Sequence, residues 1–264
     1  MDDDALFALG AMTHSSPAMF ERRRRILREA RRMIGAGRLD DFNIRALCRR
    51  AGVSSRTVYN AFGGKEAVIA LAIKDYFEAF HQSMLFLSAE DSFEGALERV
   101  MAATLRNLQI PNYLHAVTAL YFSPTLDPRI RHVLLDIGRR QWLPWLQLLR
   151  SRRQLERGIE PEPMAVDLSD LQFAKVSQWG LGALAGDRLV NATALSALTH
   201  VAGATRGAAR VAVRQWLDAL VRDTPEWRDF LAGIRARIDR HWAGPPPGAD
   251  RSGREGAAAA QRRE

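Results

Sequence analysis

The sequence predicts an all-α protein, with an N-terminal domain of three helices followed by a larger C-terminal helical bundle. Apolar side chains recur at intervals of three and four residues along most of the chain, and no stretch alternates apolar and polar residues as a strand does. We expect a flexible arm over residues 1–17, a first domain over 18–66 and a second over 67–243. Residues 244–264 have no large apolar side chain and should form a disordered tail.

Helix-boundary residues divide the first domain. Ile26 and Ile34 lie on the apolar face of a first helix, which should end by Gly37. Asn43 is expected to cap the start of a second helix, because its side-chain oxygen can accept backbone N–H groups there. Gly52 should end that helix in the left-handed conformation.

A third helix, residues 55–62, should begin at the cap residue Ser54. A fourth should begin at Lys65 and run to about Leu87. Beyond it only helical patterns follow, and Ser92 and Thr224 are the expected caps. The later candidate helices span 92–109, 112–122, 127–156, 164–187, 193–222 and 225–242, with a break expected near Gly203.

Positive charge is concentrated near the N-terminus. The formal net charge is +8; residues 18–65 contribute +9, residues 1–17 contribute −3 and the remainder +2. A localised basic block is typical of a protein that binds the phosphate backbone of nucleic acid. A solvated helix face is the alternative interpretation.

Several other classes of protein lack support in the sequence. No apolar run approaches the roughly 18 residues of a membrane span, and the acidic start does not resemble a signal peptide, so we expect a cytoplasmic protein with no membrane partner. The lone Cys48 excludes an internal disulfide framework. The histidines show no paired metal-ligand spacing, and the glycines around Trp179 lack the strand and lysine of a phosphate loop. We therefore predict no enzyme activity, no metal and no cofactor.

Two short helices joined by a tight turn at Gly52 form the pattern of a helix-turn-helix. Leu47, Val58 and Phe62 can pack together and fix the angle between the helices, so that the second presents its outer face to the major groove of DNA. That outer face carries Ser55, Arg56, Thr57, Tyr59 and Asn60.

A wider stretch, residues 22–73, carries a family pattern. Its elements are the block Ile44…Leu47-Cys48…Ala51-Gly52-Val53-Ser54, the helix Thr57-Val58-Tyr59…Phe62 and the start Gly64-Lys65-Glu66. This stretch resembles the DNA-binding domain of the tetracycline-repressor (TetR) family. The resemblance implies DNA contacts at Arg45, Ser54, Ser55, Arg56, Thr57, Tyr59, Asn60 and Lys65. Three departures stand out: Arg56 replaces a usually small residue, Ala61 replaces a common histidine, and the turn glycine after the first helix falls at Gly37, one position earlier than usual.

The resemblance also implies a homodimer and a small-molecule effector for the C-terminal domain. Aromatic candidates for an apolar effector pocket are Tyr113, Tyr121, Phe122, Trp142, Trp145, Phe173 and Trp179, although the sequence favours ordinary bundle core for any single one of them. Candidate dimer segments are 164–186 and 205–222, with a strip formed by Trp216, Leu217 and Leu220.

The resulting expectation is a repressor that a small apolar ligand releases from a palindromic double-stranded operator. Two alternatives stay open. One is a non-inducible or DNA-organising dimer, whose C-terminal domain serves only dimerisation. The other is a helical enzyme or binding protein with a vestigial DNA-binding head.

Overall fold

The structure is a computed structural model that describes residues 17–36 and 41–242. In these two ranges the chain is all-α, with eleven helices and no strand beyond one isolated bridge. The predicted arm, except Pro17, and the predicted tail lie outside the described residues, as does Gly37. The helices are α1 Pro17–Ala36, α2 Ile44–Ala51, α3 Ser55–Phe62, α4 Lys65–Ser83, α5 Phe93–Asn107, α6 Pro111–Tyr121, α7 Pro128–Ser151, α8 Pro161–Gly180, α9 Gly186–Ala204, α10 Gly207–Val221 and α11 Pro225–His241.

The predicted boundaries of the first helices are confirmed. Asn43 Oδ1 accepts the N–H groups of Arg45 at 2.8 Å and of Ala46 at 3.4 Å, which caps α2. Gly52 follows α2 at φ 61°, a left-handed conformation that costs glycine little because it has no Cβ. Ser54 Oγ accepts the N–H of Thr57 at 3.1 Å and caps α3.

Helix α4 ends at Ser83, four residues before the predicted end at Leu87. The chain turns out of the helix because the buried Glu98 carboxylate accepts the N–H groups of Leu87 and Ser88 at 3.1–3.2 Å. This acceptor lies in α5, so the pattern within α4 alone could not indicate it.

Two later predictions were wrong in detail. The segment 164–187 is interrupted after Gly180, and α9 starts at Gly186. The segment 193–222 is broken at Thr205 and Arg206, two residues beyond the expected position. There the backbone pairs with a distant loop: Glu156 N donates to Ala204 O, and Arg206 N donates to Gln154 O, both at 2.9 Å.

Of the two predicted caps in the second domain, only one makes a side-chain hydrogen bond. Ser92 Oγ accepts the N–H of Gly95 at 2.9 Å at the start of α5. Thr224 precedes α11 but makes no capping hydrogen bond, and Pro225 occupies the first helical position.

Two apolar clusters form the interior. The head cluster joins α1–α4 to α6 and α7 and contains Ile26, Leu47, Val58 and Ile69, among others. The bundle cluster contains Phe80, Leu97, Trp142, Trp227 and Ile238, among others. Helix α4 contributes side chains to both clusters and so connects them.

Candidate functional site

The helix-turn-helix holds α3 with one face packed and the other exposed. Val58 and Phe62 are buried on the inner face, against Leu47 of α2. The predicted contact residues are distributed on the outer side. Ser54, Ser55, Arg56, Tyr59 and Asn60 are exposed, and Thr57 is half-buried.

Tyr59 and Ser54 differ in how available their side chains are to a partner. The Tyr59 side chain is 52% exposed, so it is free to meet a partner rather than packed on α1. The Ser54 hydroxyl is occupied within the chain, because it accepts the Thr57 N–H and lies 2.9 Å from Thr57 Oγ1.

Two further basic residues flank α3 at helix starts. Arg45 is exposed in the first turn of α2, and Lys65 is the half-buried first residue of α4. The first amide groups of a helix have no acceptor within the helix and carry a partial positive charge, which favours a phosphate beside them. Arg45 and Lys65 therefore lie at helix starts, where each could bind a phosphate of the DNA backbone.

One residue that stabilises the helix-turn-helix, Glu29, was not predicted from the sequence. Glu29 of α1 is 9% exposed, and its two carboxylate oxygens accept hydrogen bonds from Arg32 at 2.5 Å and Arg50 at 3.1 Å. The Arg50 bond ties α2 to α1. The available signal was its position: Glu29 lies among arginines and beside the apolar positions Ile26, Leu27 and Ala30, whereas the other acidic residue of α1, Glu21, lies near the start of the helix.

The arginine run at residues 22–25 divides into two roles. Arg22, Arg24 and Arg25 are exposed, as a solvated face requires. Arg23 is half-buried; its guanidinium donates to Ala61 O at 2.7 Å and lies 5.7 Å from the Phe62 ring centroid. Burial lowers the pKa of Arg23. This contact holds the end of α3 against α1.

Two polar contacts in the C-terminal part of α1 join the head to α4 and α6. Arg31 pairs with Asp75 of α4 at 3.0 Å, and the Asn112 side chain of α6 donates to Gly35 O at 2.9 Å. Movement of α4 or α6 would therefore be transmitted to α1.

A cleft of about 330 Å³ opens beside the C-terminal half of α4. Its walls include Lys74, Phe77 and His81 of α4 together with Ile137 and Gln141 of α7. The volume lies at the lower end of the range for small-molecule sites, roughly 300–1,000 Å³.

Charges at the cleft are paired with one another. Glu78 lies 3.7 Å from Lys74 Nζ and 3.0 Å from an Arg140 nitrogen. Burial, with the positive charges of Arg99 and Arg140, lowers the pKa of His81 to about 4, so its imidazole is neutral at pH 7. With Glu90 and Asp136 also in its wall, the cleft is lined by two cationic and three anionic side chains.

The predicted pocket aromatics are scattered. Trp142 and Trp145 are buried in the bundle cluster and do not line the cleft. Tyr121 is buried in the head cluster and donates its hydroxyl to Asp170; burial and that carboxylate raise the pKa of Tyr121. Of the six predicted aromatics whose side chains the structure describes, Phe173 alone borders a small chamber that adjoins the cleft.

The remaining three predicted aromatics lie elsewhere. Phe122 is 48% exposed and borders a separate open groove between α6 and α8. Trp179 is half-buried and packs close to Gly186. A Cβ atom at Gly186 would lie only 3.1 Å from the Trp179 indole nitrogen. The side chain of Tyr113 lies outside the described part of the structure.

The predicted dimer strip packs within the chain. Leu220 is buried, and Trp216 and Leu217 are half-buried against the bundle cluster. The Trp216 ring lies 4.7 Å from Phe230 of α11. Their role at an interface stays a prediction.

Within residues 17–36 and 41–242, no helix is long and apolar enough to cross a membrane. The same residues contain no group of three or more His, Cys, Asp or Glu side chains placed to hold a metal ion.

Comparison with known proteins places the head in a family. Residues 26–72 match the model of the bacterial regulatory proteins, tetR family. No curated protein matches the chain in sequence.

Two solved structures share the fold at low identity. SmeT, the repressor of the Stenotrophomonas maltophilia multidrug efflux pump SmeDEF, is 15% identical with a TM-score of 0.50, and the match covers 71% of this chain and 92% of SmeT. The tetR regulator tylp from Streptomyces fradiae is 14% identical with a TM-score of 0.50, covering 79% of this chain and 99% of tylp. Both matches extend well beyond the head into the helical bundle.

Proposed function

We propose that this chain, whose residues 26–72 match the tetR family of bacterial regulatory proteins, is a dimeric repressor that a small ligand releases from a palindromic operator. The observation that carries the proposal is the exposed outer face of α3, where Arg56, Tyr59 and Asn60 stand clear of the core.

Recognition of DNA by this face combines two kinds of contact. Arg56 can donate two hydrogen bonds to guanine O6 and N7, and Asn60 can pair with adenine N6 and N7. Arg45 and Lys65 would hold phosphates on either side and fix the register of α3 in the groove. The firm packing of α3 on Leu47 and the Arg23 contact supports such precise placement.

A second copy of the chain would supply the second recognition helix. An isologous dimer matches a palindrome, with half-sites about 34–36 Å apart or a multiple of that spacing. Trp216, Leu217 and Leu220 serve the monomer core, but α9 and α10 also expose the apolar side chains of Leu195 and Val211. We propose that these two helices pack against their copies in the partner.

Ligand release would act through α4. The cleft is built on Lys74, Phe77 and His81 of this helix, whose first residue, Lys65, lies at the proposed DNA surface. A ligand that binds more tightly to one position of α4 than to another shifts the population toward a dimer whose recognition helices no longer fit the operator.

The test is binding of the full-length chain to a library of genomic fragments at several salt concentrations. Enrichment of one palindromic site is expected. Arg56→Ala should weaken binding to that site by about tenfold to one-hundredfold and relax its sequence at one position. Lys65→Ala should weaken binding to all sites and reduce the salt dependence by about one phosphate contact.

The matched control is Arg235→Ala, the same change at an exposed arginine on α11, far along the chain from the head. It should leave operator binding as in the wild type. Salt-sensitive binding with no preferred site would contradict the repressor and favour a DNA-organising protein. Absence of binding would remove the DNA-binding function altogether.

A further inference from the structure

A small chamber adjoins the cleft. It has a volume of about 10 Å³, and it shares Phe77, Ala103, Ile137 and Gln141 with the cleft wall. Because its other wall residues are buried, it lies at the inner end of the cleft. A space of this size holds about one water molecule or one small polar group.

Three buried amides border this chamber. Asn107 at the end of α5, Gln141 of α7 and Gln172 of α8 are 5%, 2% and 6% exposed. The side-chain oxygen of each has no hydrogen-bond partner among the described residues. A buried polar atom without a partner costs about 1–3 kcal/mol, so three around one small space indicate a place built for a polar partner.

The orientation of one amide is fixed. Gln141 Nε2 donates to Ile137 O at 3.2 Å, so its unpartnered oxygen is the atom left to accept a hydrogen bond. Asn107 and Gln172 can rotate and so present either an acceptor or a donor. A molecule in the chamber can therefore donate one hydrogen bond to Gln141 and accept another from Asn107 or Gln172.

The remaining wall is apolar. Leu114, Val117 and Phe173 complete the chamber, while Phe77 and Ile137 continue into the cleft. No charged residue lines the chamber in the described structure. In the cleft wall, Lys74 and Arg140 both pair with Glu78, and Asp136 pairs with Arg139. An ion entering the chamber would lose its water without gaining a counter-charge, which is strongly unfavourable.

We propose that the cleft binds a neutral, hydroxyl-bearing amphipathic molecule, such as a phenol or an alcohol with an apolar body. Its hydroxyl enters the chamber, donates to Gln141 and accepts from a rotated Asn107 or Gln172 amide. Its apolar body lies in the cleft against Phe77 and Ile137. This inference rests on the proposed function, because the bound molecule is the effector of the regulator.

The test is calorimetric titration of the full-length chain with four probes that share one ring body: 1-naphthol, 1-methylnaphthalene, 1-naphthoate and 1-naphthylmethylammonium. The naphthol should bind about tenfold to one-hundredfold more tightly than the other three, because only it satisfies the amides without burying a charge. Equal binding of naphthol and methylnaphthalene, preference for a charged probe, or failure of all four to bind would overturn the proposal.

Gln141→Leu tests the chamber itself. This variant should lose about tenfold or more in naphthol affinity while methylnaphthalene affinity is kept or improved. The melting temperature of the ligand-free variant should be equal to or above that of the wild type, since an unpartnered buried amide is removed. The matched control, Gln147→Leu, makes the same change at an exposed position of α7 and should alter neither affinity. An unchanged naphthol preference in Gln141→Leu would also overturn the proposal.

Different results would overturn the proposed regulatory function and the proposed ligand class. Naphthol binding that leaves operator affinity unchanged would keep the ligand site and remove its regulatory role. Operator release by a charged ligand, without naphthol binding, would keep the regulator and remove the ligand class inferred from the chamber.

Discussion

A buried polar group in the head is hydrogen-bonded, whereas the buried polar groups of the inner chamber lack partners. In the head, both oxygens of the buried Glu29 carboxylate accept hydrogen bonds from arginines. In the chamber, the oxygens of Asn107, Gln141 and Gln172 have no such partner among the described residues. Satisfied polar groups specify one fixed arrangement, whereas unsatisfied ones favour arrangements in which a partner is supplied. A head that keeps one shape and a cleft that receives a ligand, as proposed above, would differ in this way.

The largest expected effect concerns the aromatic side chains of the bundle. Trp142 is 1% exposed, so Trp142→Ala removes a full core side chain and should lower the free energy of unfolding by about 3–5 kcal/mol. Phe122→Ala is the matched control, because its ring is 48% exposed and its removal should cost less than about 1 kcal/mol. Urea denaturation measures both. Similar losses in the two variants would contradict the assignment of Trp142 to the core.

These two residues show what the sequence could and could not predict. Periodicity and aromatic content identified a helical bundle, but not which aromatics face a cavity, since that depends on how α4 to α8 meet. The caps at Asn43 and Ser54 were predictable because each bond spans three residues or fewer. The three chamber amides come from three separate helices, and no local pattern brings them together.

The cleft should also respond to acid. His81 has a pKa of about 4 in the folded chain against about 6.5 unfolded, so the unfolded state binds more protons between these values. The free energy of unfolding should therefore fall as the pH is lowered from 6.5 to 4, by a total on the order of 3 kcal/mol from this group. Thermal unfolding across this range, compared with His81→Gln, measures it. A pH dependence identical in the variant would show that burial of His81 is not the cause.

Loss of the Glu29 carboxylate should lower the free energy of unfolding by less than loss of a core side chain but by more than loss of a surface ion pair. Glu29→Gln should cost about 1–3 kcal/mol, below the loss for a fully buried pair, because Arg32 and Arg50 are about half exposed and can return to water. Glu21→Gln is the matched control, since its pair with Arg24 is exposed and worth about 0–1 kcal/mol. Chemical denaturation of both variants gives the difference. Equal effects would remove the claim that Glu29 fixes α2 against α1.

The smallest expected effect separates a working helix cap from a nominal one. Asn43→Ala removes the acceptor for two N–H groups of α2 and should cost about 1 kcal/mol. Thr224→Ala changes the corresponding position before α11, where the side chain makes no capping hydrogen bond, and should leave stability nearly unchanged. Because α2 positions α3, Asn43→Ala should also weaken operator binding, while Thr224→Ala should not. Equal stability loss in the two variants would mean that the cap bond seen at Asn43 contributes nothing, and the head would then owe its fixed shape to packing and the Glu29 pair alone.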